Sequence, residues 1–113
     1  MNIDEATAEA TTKAAELTKE LGYLVEPLIL THGENVVVGF LRQPAREAKR
    51  AILDEMMKSP TSAGKLYLEC ALLKEKSDPR LSSSASEHDS IVMGAEMACI
   101  PKIEIYQSEV KKK

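Results

Sequence analysis

The sequence predicts a mixed α+β fold: an N-terminal helix, one β-hairpin, then about three to four helices. Three observations carry it. Residues 4–21 are rich in Ala, Glu, Leu and Lys at helical spacing; two β-rich runs flank His32-Gly33-Glu34-Asn35; and from Pro44 onward apolar residues recur every three or four positions between proline and serine breaks. With 113 residues, 43% of them hydrophobic, the chain has material for one core and not for two ordinary ones. The organisation read from it is an N-terminal helix over 1–22, a single α+β domain over 23–110, and a basic tail over 111–113.

In the first helix Ala6, Ala10, Ala14, Leu17 and Leu21 share one face, and Gly22 follows where a left-handed C-terminal cap sits. Its stripe is alanine until Leu17. Docking it removes little apolar area from water, so a frayed or partner-dependent beginning is expected. Tyr23 to Thr31 and Val36 to Leu41 then carry the branched and aromatic residues that suit strands, and Gly33 supplies the positive φ of a tight hairpin. Pro27 has no N–H for a ladder and belongs at a strand start or on an edge. Two strands alone are marginal in water, so the hairpin must lie on helices or pair with another chain.

Pro44 fits the first turn of a second helix, which runs to about Lys58 with Ala48, Ala51, Ile52, Glu55 and Met56 on one face. Ser59-Pro60 opens a third as N-cap and first helical residue, with Ala63, Leu66, Cys70 and Leu73 as its expected core face. Residues 74–85 show no periodicity and read as a polar, mobile loop. Ser86-Glu87-His88-Asp89 has the form of a capping box, so a further helix is expected from Glu87 to about Ile100. Pro101 breaks or restarts it, and Ile103, Tyr106 and Val110 give a last short amphipathic turn.

Net charge is −3, with seven acids against two bases in residues 1–34 and nine bases against six acids in residues 35–80. Neither a general nucleic-acid footprint nor the composition of a disordered chain is present. No apolar stretch approaches the roughly 20 residues of a bilayer span, and Met1-Asn2-Ile3-Asp4-Glu5 lacks the parts of a signal peptide, so a cytoplasmic protein is expected. Two cysteines are too few for a disulfide scaffold; Cys70 and Cys99 read as small, reduced, buried hydrophobes.

Residues able to carry chemistry are sparse. His88-Asp89-Ser90 contains the three triad residue types, but adjacent helical side chains point apart and cannot form a relay. The cysteines and histidines lack the short ligand spacing of a metal site, and the glycines are too scattered for a phosphate loop. No catalytic, cofactor-binding or metal-ligating residue is assigned, and no enzyme is expected. Arg42, Arg46, Lys49 and Arg50 form a basic group without interleaved aromatics, read first as a solvated helix face.

The stretch from Val36 to Arg46, containing Phe40-Leu41-Arg42-Gln43-Pro44, then Lys58-Ser59-Pro60-Thr61-Ser62-Ala63-Gly64, then Leu66 to Cys70 and Ser77-Asp78, resembles the small tail assembly chaperones of tailed phages and prophages. Members of that family have a strand ending in an aromatic-leucine-basic-x-Pro segment and a helix, then a second helix after a short x-Pro step with a cysteine near its end. An acidic loop and a last helix follow. The similarity spans about residues 36–110 and leaves residues 1–22 without a counterpart. The loop after Cys70 is less acidic and less glycine-rich than the family's, and Pro101 interrupts the last helix.

The resemblance implies a non-catalytic protein that binds the tape-measure protein and recruits tail-tube subunits in the host cytoplasm, absent from the mature virion. Phe40, Leu41, Leu66, Leu73, Met93 and Met97 are the partner-contact candidates, and the hairpin offers a route to a homo-oligomer. The alternative from another class is a small bacterial regulator or adaptor that meets nucleic acid or an acidic partner through the Arg42–Arg50 helix. A metal-dependent enzyme built on Cys70, Cys99 and a histidine is the third reading.

Overall fold

The computed structural model describes residues 3–103. Helix α1 spans Ile3–Leu21, strands β1 (Val25–His32) and β2 (Asn35–Arg42) form one antiparallel hairpin, and helices α2 (Arg46–Lys58), α3 (Pro60–Ala71) and α4 (Asp89–Cys99) follow. Short 3₁₀ turns lie before and after α4. The expected α+β architecture is the one observed. Ile103 is the last described residue, so Tyr106, Val110 and the tail Lys111 to Lys113 lie outside the described part.

The hairpin is the middle layer. Its register pairs Val25 with Arg42, Pro27 with Phe40 and Ile29 with Val38, and side chains alternate between the two faces. One face carries Val25, Val38 and Phe40 against Ala14 and Leu17 of α1. The other carries Leu28, Val37 and Leu41 into the larger core, with Ile52 of α2, Ala63, Tyr67, Leu68 and Ala71 of α3, and Ala95 and Cys99 of α4. Burial on both sides explains why the strand sequences are runs of apolar residues rather than strict alternations.

Gly33 has φ +61° at the first central position of a two-residue connection between His32 and Asn35, and no other described residue in the turn has positive φ, which is the type II′ geometry. At the other end, Gly22 adopts φ +80° and its N–H bonds the Thr18 carbonyl at 3.0 Å, closing α1 as expected. Thr18 also stitches α1 to β1. Its hydroxyl donates to the Ala14 carbonyl (2.8 Å) and accepts the Val25 N–H (2.9 Å).

Helix α1 is formed from Ile3, with Ala6 and Ala10 of its alanine stripe buried. Small side chains remove little area from water, yet they let the helix lie close to its neighbours. Pro44 is buried but stands before the helix: Ala45 occupies the N-cap position in an extended conformation, and α2 begins at Arg46. On the expected apolar face of α2 only Ile52 is fully buried, and Ala51 is exposed.

In α3, which does begin at Ser59-Pro60, the buried stripe is Ala63, Gly64, Tyr67, Leu68 and Ala71. Leu66 and Leu73 are half-buried, and Cys70 is exposed. The stripe lies about one residue, some 100°, round the helix from the expected one. Gly64 is the cause: a Cβ there would clash with the Glu96 carbonyl of α4, so only glycine lets the two backbones meet on that side. Finally, α4 starts at Asp89 rather than Glu87, and no side chain caps it. Ser86–His88 forms a separate turn instead of a capping box.

The segment 74–85, expected as a mobile loop, is a strap along the free edge of β2. The Leu73 N–H donates to the Phe40 carbonyl (2.9 Å), and the Asp78 N–H to the Val38 carbonyl (2.9 Å). The Ser77 hydroxyl accepts the Phe40 N–H (2.9 Å). Asp78 then caps the turn Pro79–Ser82 by accepting the Arg80 N–H, and holds the Arg80 guanidinium at 2.7 Å. That turn drives Leu81 into the core, where it is 2% exposed. A Cβ on Gly39 of β2 would meet the Leu81 side chain, so the strand's glycine makes room for it.

Candidate binding face

Helix α4 is the most apolar α-helix among the described residues, with Asp89 and Glu96 as its only charged residues. Its inner stripe, Ala95 and Cys99, is fully buried. Its outer stripe is Ser90, Met93, Gly94 and Met97, all exposed. Met93 and Met97 remain 61% and 56% exposed, one helical turn apart. No atom lies within 4 Å of a Cβ built on Gly94.

Beside Met93 a groove of about 600 Å³ opens between α3, α4 and the strap. Leu68, Leu72, Leu81 and Val92 line it with apolar surface. Lys65, Glu69, Lys74, Asp89 and Glu96 supply charges of both signs around it. Such a surface fits an amphipathic helix laid across it, apolar face down, with either sign of flanking charge met by the rim. Methionine suits this task because its unbranched thioether adapts to varied apolar shapes.

The six contact candidates from the sequence do not form one patch. Phe40 and Leu41 are adjacent in a strand, so they point to opposite faces, and both are buried. Leu73 packs at the edge of the α1 layer and Leu66 against the larger core. Met93 and Met97 alone lie open, and Met93 lines the groove. The i, i+4 spacing of Leu68 and Leu72 was a usable signal for the groove, whereas nothing in the local pattern marked Leu81.

The residues considered for chemistry stand apart. Cys70 is exposed and Cys99 fully buried, so the expectation of two buried thiols holds for Cys99 only. Burial pushes the Cys99 thiol up to about 11. Among the described residues no group of three His, Cys, Asp or Glu side chains is placed to hold a metal ion. His88 bonds the Ser83 hydroxyl through Nδ1 at 2.7 Å, while the nearest carboxylate oxygen to its Nε2 is that of Glu87 at 3.9 Å. Ser83 also accepts the Ala85 N–H, so the pair fastens the strap to the start of α4. His88, Asp89 and Ser90 are not drawn together.

Of the basic group, Arg42, Arg46, Lys49 and Arg50 are all exposed. The Arg42 guanidinium lies 4.0 Å above the Tyr23 ring, a cation–π contact that ties the end of β2 to the α1–β1 connection. No helix among the described residues is long and apolar enough to cross a membrane. Comparison with known proteins found no family model, no curated protein and no solved structure that matches this chain.

Proposed function

We propose that this chain is a non-catalytic tail assembly chaperone of a tailed phage or prophage. It works in the host cytoplasm, binds helical segments of the tape-measure protein, recruits tail-tube subunits, and is left out of the mature virion. The observation that carries the reading is the open methionine stripe of α4 beside the groove. A long helical protein exposes apolar surface before it assembles, and a small domain offering an exposed methionine stripe beside a groove with apolar lining can cover it. The sequence resemblance supports the tape-measure protein as the partner, and the groove is suited to an apolar helical contact.

Co-expression with the tape-measure protein tests it. The expected result is a soluble complex that elutes as one species, and its loss when Met93 and Met97 are both replaced by Glu. Because both side chains are largely in water, that double variant keeps the parent's unfolding free energy to within about 0.5 kcal/mol per site. A tape-measure protein that stays insoluble beside a well-folded parent chain refutes the reading.

A further inference from the structure

The two edges of the hairpin are treated differently. On β2 the strap takes up three of the outward groups, the Phe40 N–H and carbonyl and the Val38 carbonyl. In an antiparallel ladder the residues opposite these also turn their backbone groups outward, on the far side. Those residues are Pro27, opposite Phe40, and Ile29, opposite Val38; Thr31, opposite Val36, follows by the same alternation. Pro27 has no N–H to offer. No backbone or side-chain group among the described residues bonds the N–H or carbonyl of Ile29 or Thr31.

Apart from Pro27, which lacks a donor, the described part of this edge offers little resistance to pairing. Leu28-Ile29-Leu30-Thr31 carries no charge, and the lysines that usually guard an open strand are missing from it. Alongside, between the turn end of the hairpin and α4, runs a second groove of about 450 Å³, lined by Leu30, Val37, Ile91 and Gly94 among others. A strand added to β1 would place its alternate side chains next to that apolar lining.

We propose that a second copy of this chain pairs with β1 in antiparallel fashion about a twofold axis at Ile29, making one continuous four-stranded sheet. In this register Ile29 and the partner's Ile29 exchange both backbone bonds, and the Thr31 N–H reaches the carbonyl of the partner's Pro27. Leu28 meets the partner's Leu30. Charge selects the register: Glu26, 46% exposed at its side chain although Lys102 holds one of its oxygens at 3.0 Å, comes opposite the partner's His32. Moving the axis one residue to Leu30 would set Glu26 against the partner's Glu34, a like-charge pair.

Sedimentation of the full chain across the micromolar range tests this. A species of twice the 12.4 kDa chain mass is expected, growing with concentration. Thr31→Pro removes an outward N–H that the hairpin ladder does not use, and twofold symmetry doubles the loss, so the dissociation constant rises about tenfold or more while circular dichroism stays that of the parent. His32→Glu, at the exposed turn, places a carboxylate opposite the partner's Glu26 and weakens the dimer severalfold, whereas His32→Lys does not. A chain that stays monomeric, a dimer indifferent to Thr31→Pro, or equal dissociation constants for the two His32 variants overturns the proposal. So does a monomer that takes up an extended peptide at this edge.

Discussion

Glycine-to-alanine substitution in two facing helices should change stability in opposite directions. In an exposed helix interior, alanine in place of glycine gains about 1 kcal/mol through the backbone freedom that glycine loses on folding. At Gly94 nothing stands within 4 Å of the added methyl, so Gly94→Ala collects most of that gain. At Gly64 the methyl would meet the Glu96 carbonyl and come within 2.9 Å of Ile100 Cγ1. The carbonyl belongs to the backbone of α4 and cannot rotate away, so α3 and α4 must separate. Overpacking of this kind costs about 1–3 kcal/mol, and more when backbone has to shift, which outweighs the helical gain. Urea unfolding of the two variants at one low protein concentration measures both. The expected midpoints are above the parent for Gly94→Ala and below it for Gly64→Ala, with melting temperatures moving about 4–8 °C per kcal/mol in a domain of this size. A Gly64→Ala variant as stable as Gly94→Ala would refute the close approach of the two helices.

The strap, the thiols and the α1 stitch give three more tests. The Arg80 guanidinium beside Asp78 holds its carboxyl below the usual 3.8, so this pair contributes stability that is present above the unfolded aspartate value and is lost as pH falls through the folded one. Asp78→Asn should therefore unfold at lower urea than the parent at neutral pH, and the gap should close below about pH 4. A colourless-to-coloured thiol reagent at mildly alkaline pH should titrate Cys70 at once and Cys99 only after denaturant is added, because Cys99 is wholly buried and its thiolate is disfavoured. Thr18→Val keeps the side-chain shape but leaves the Val25 N–H without its acceptor, and denaturation should show a loss of about 1–2 kcal/mol.

What the sequence revealed was local. The order of elements follows from residues near one another in the chain: Gly22 ends α1, Gly33 makes the turn, Ser59-Pro60 divides α2 from α3, and the doubly apolar strands demand cover on both faces. The strap was invisible because its anchors are a serine hydroxyl and backbone groups, and neither leaves a periodic trace. The candidate face was half legible. Met93 and Met97 could be named, but the sequence could not separate them from Phe40 and Leu41, since burial depends on what lies opposite.

The sequence by itself determined that this chain is one helix, one hairpin and a helical cluster, because propensity, capping and turn geometry act over a few residues. Only the tertiary structure decided which stripe of α3 is buried, that Leu81 belongs to the core, and that the strap bonds the edge of β2 at Phe40 and Val38 while no described residue bonds β1 at Ile29 or Thr31. Those outcomes depend on how near two backbones can come, at Gly64 against Glu96 and at Gly39 against Leu81. Such distances join residues far apart in the chain, and spacing along it carries no record of them.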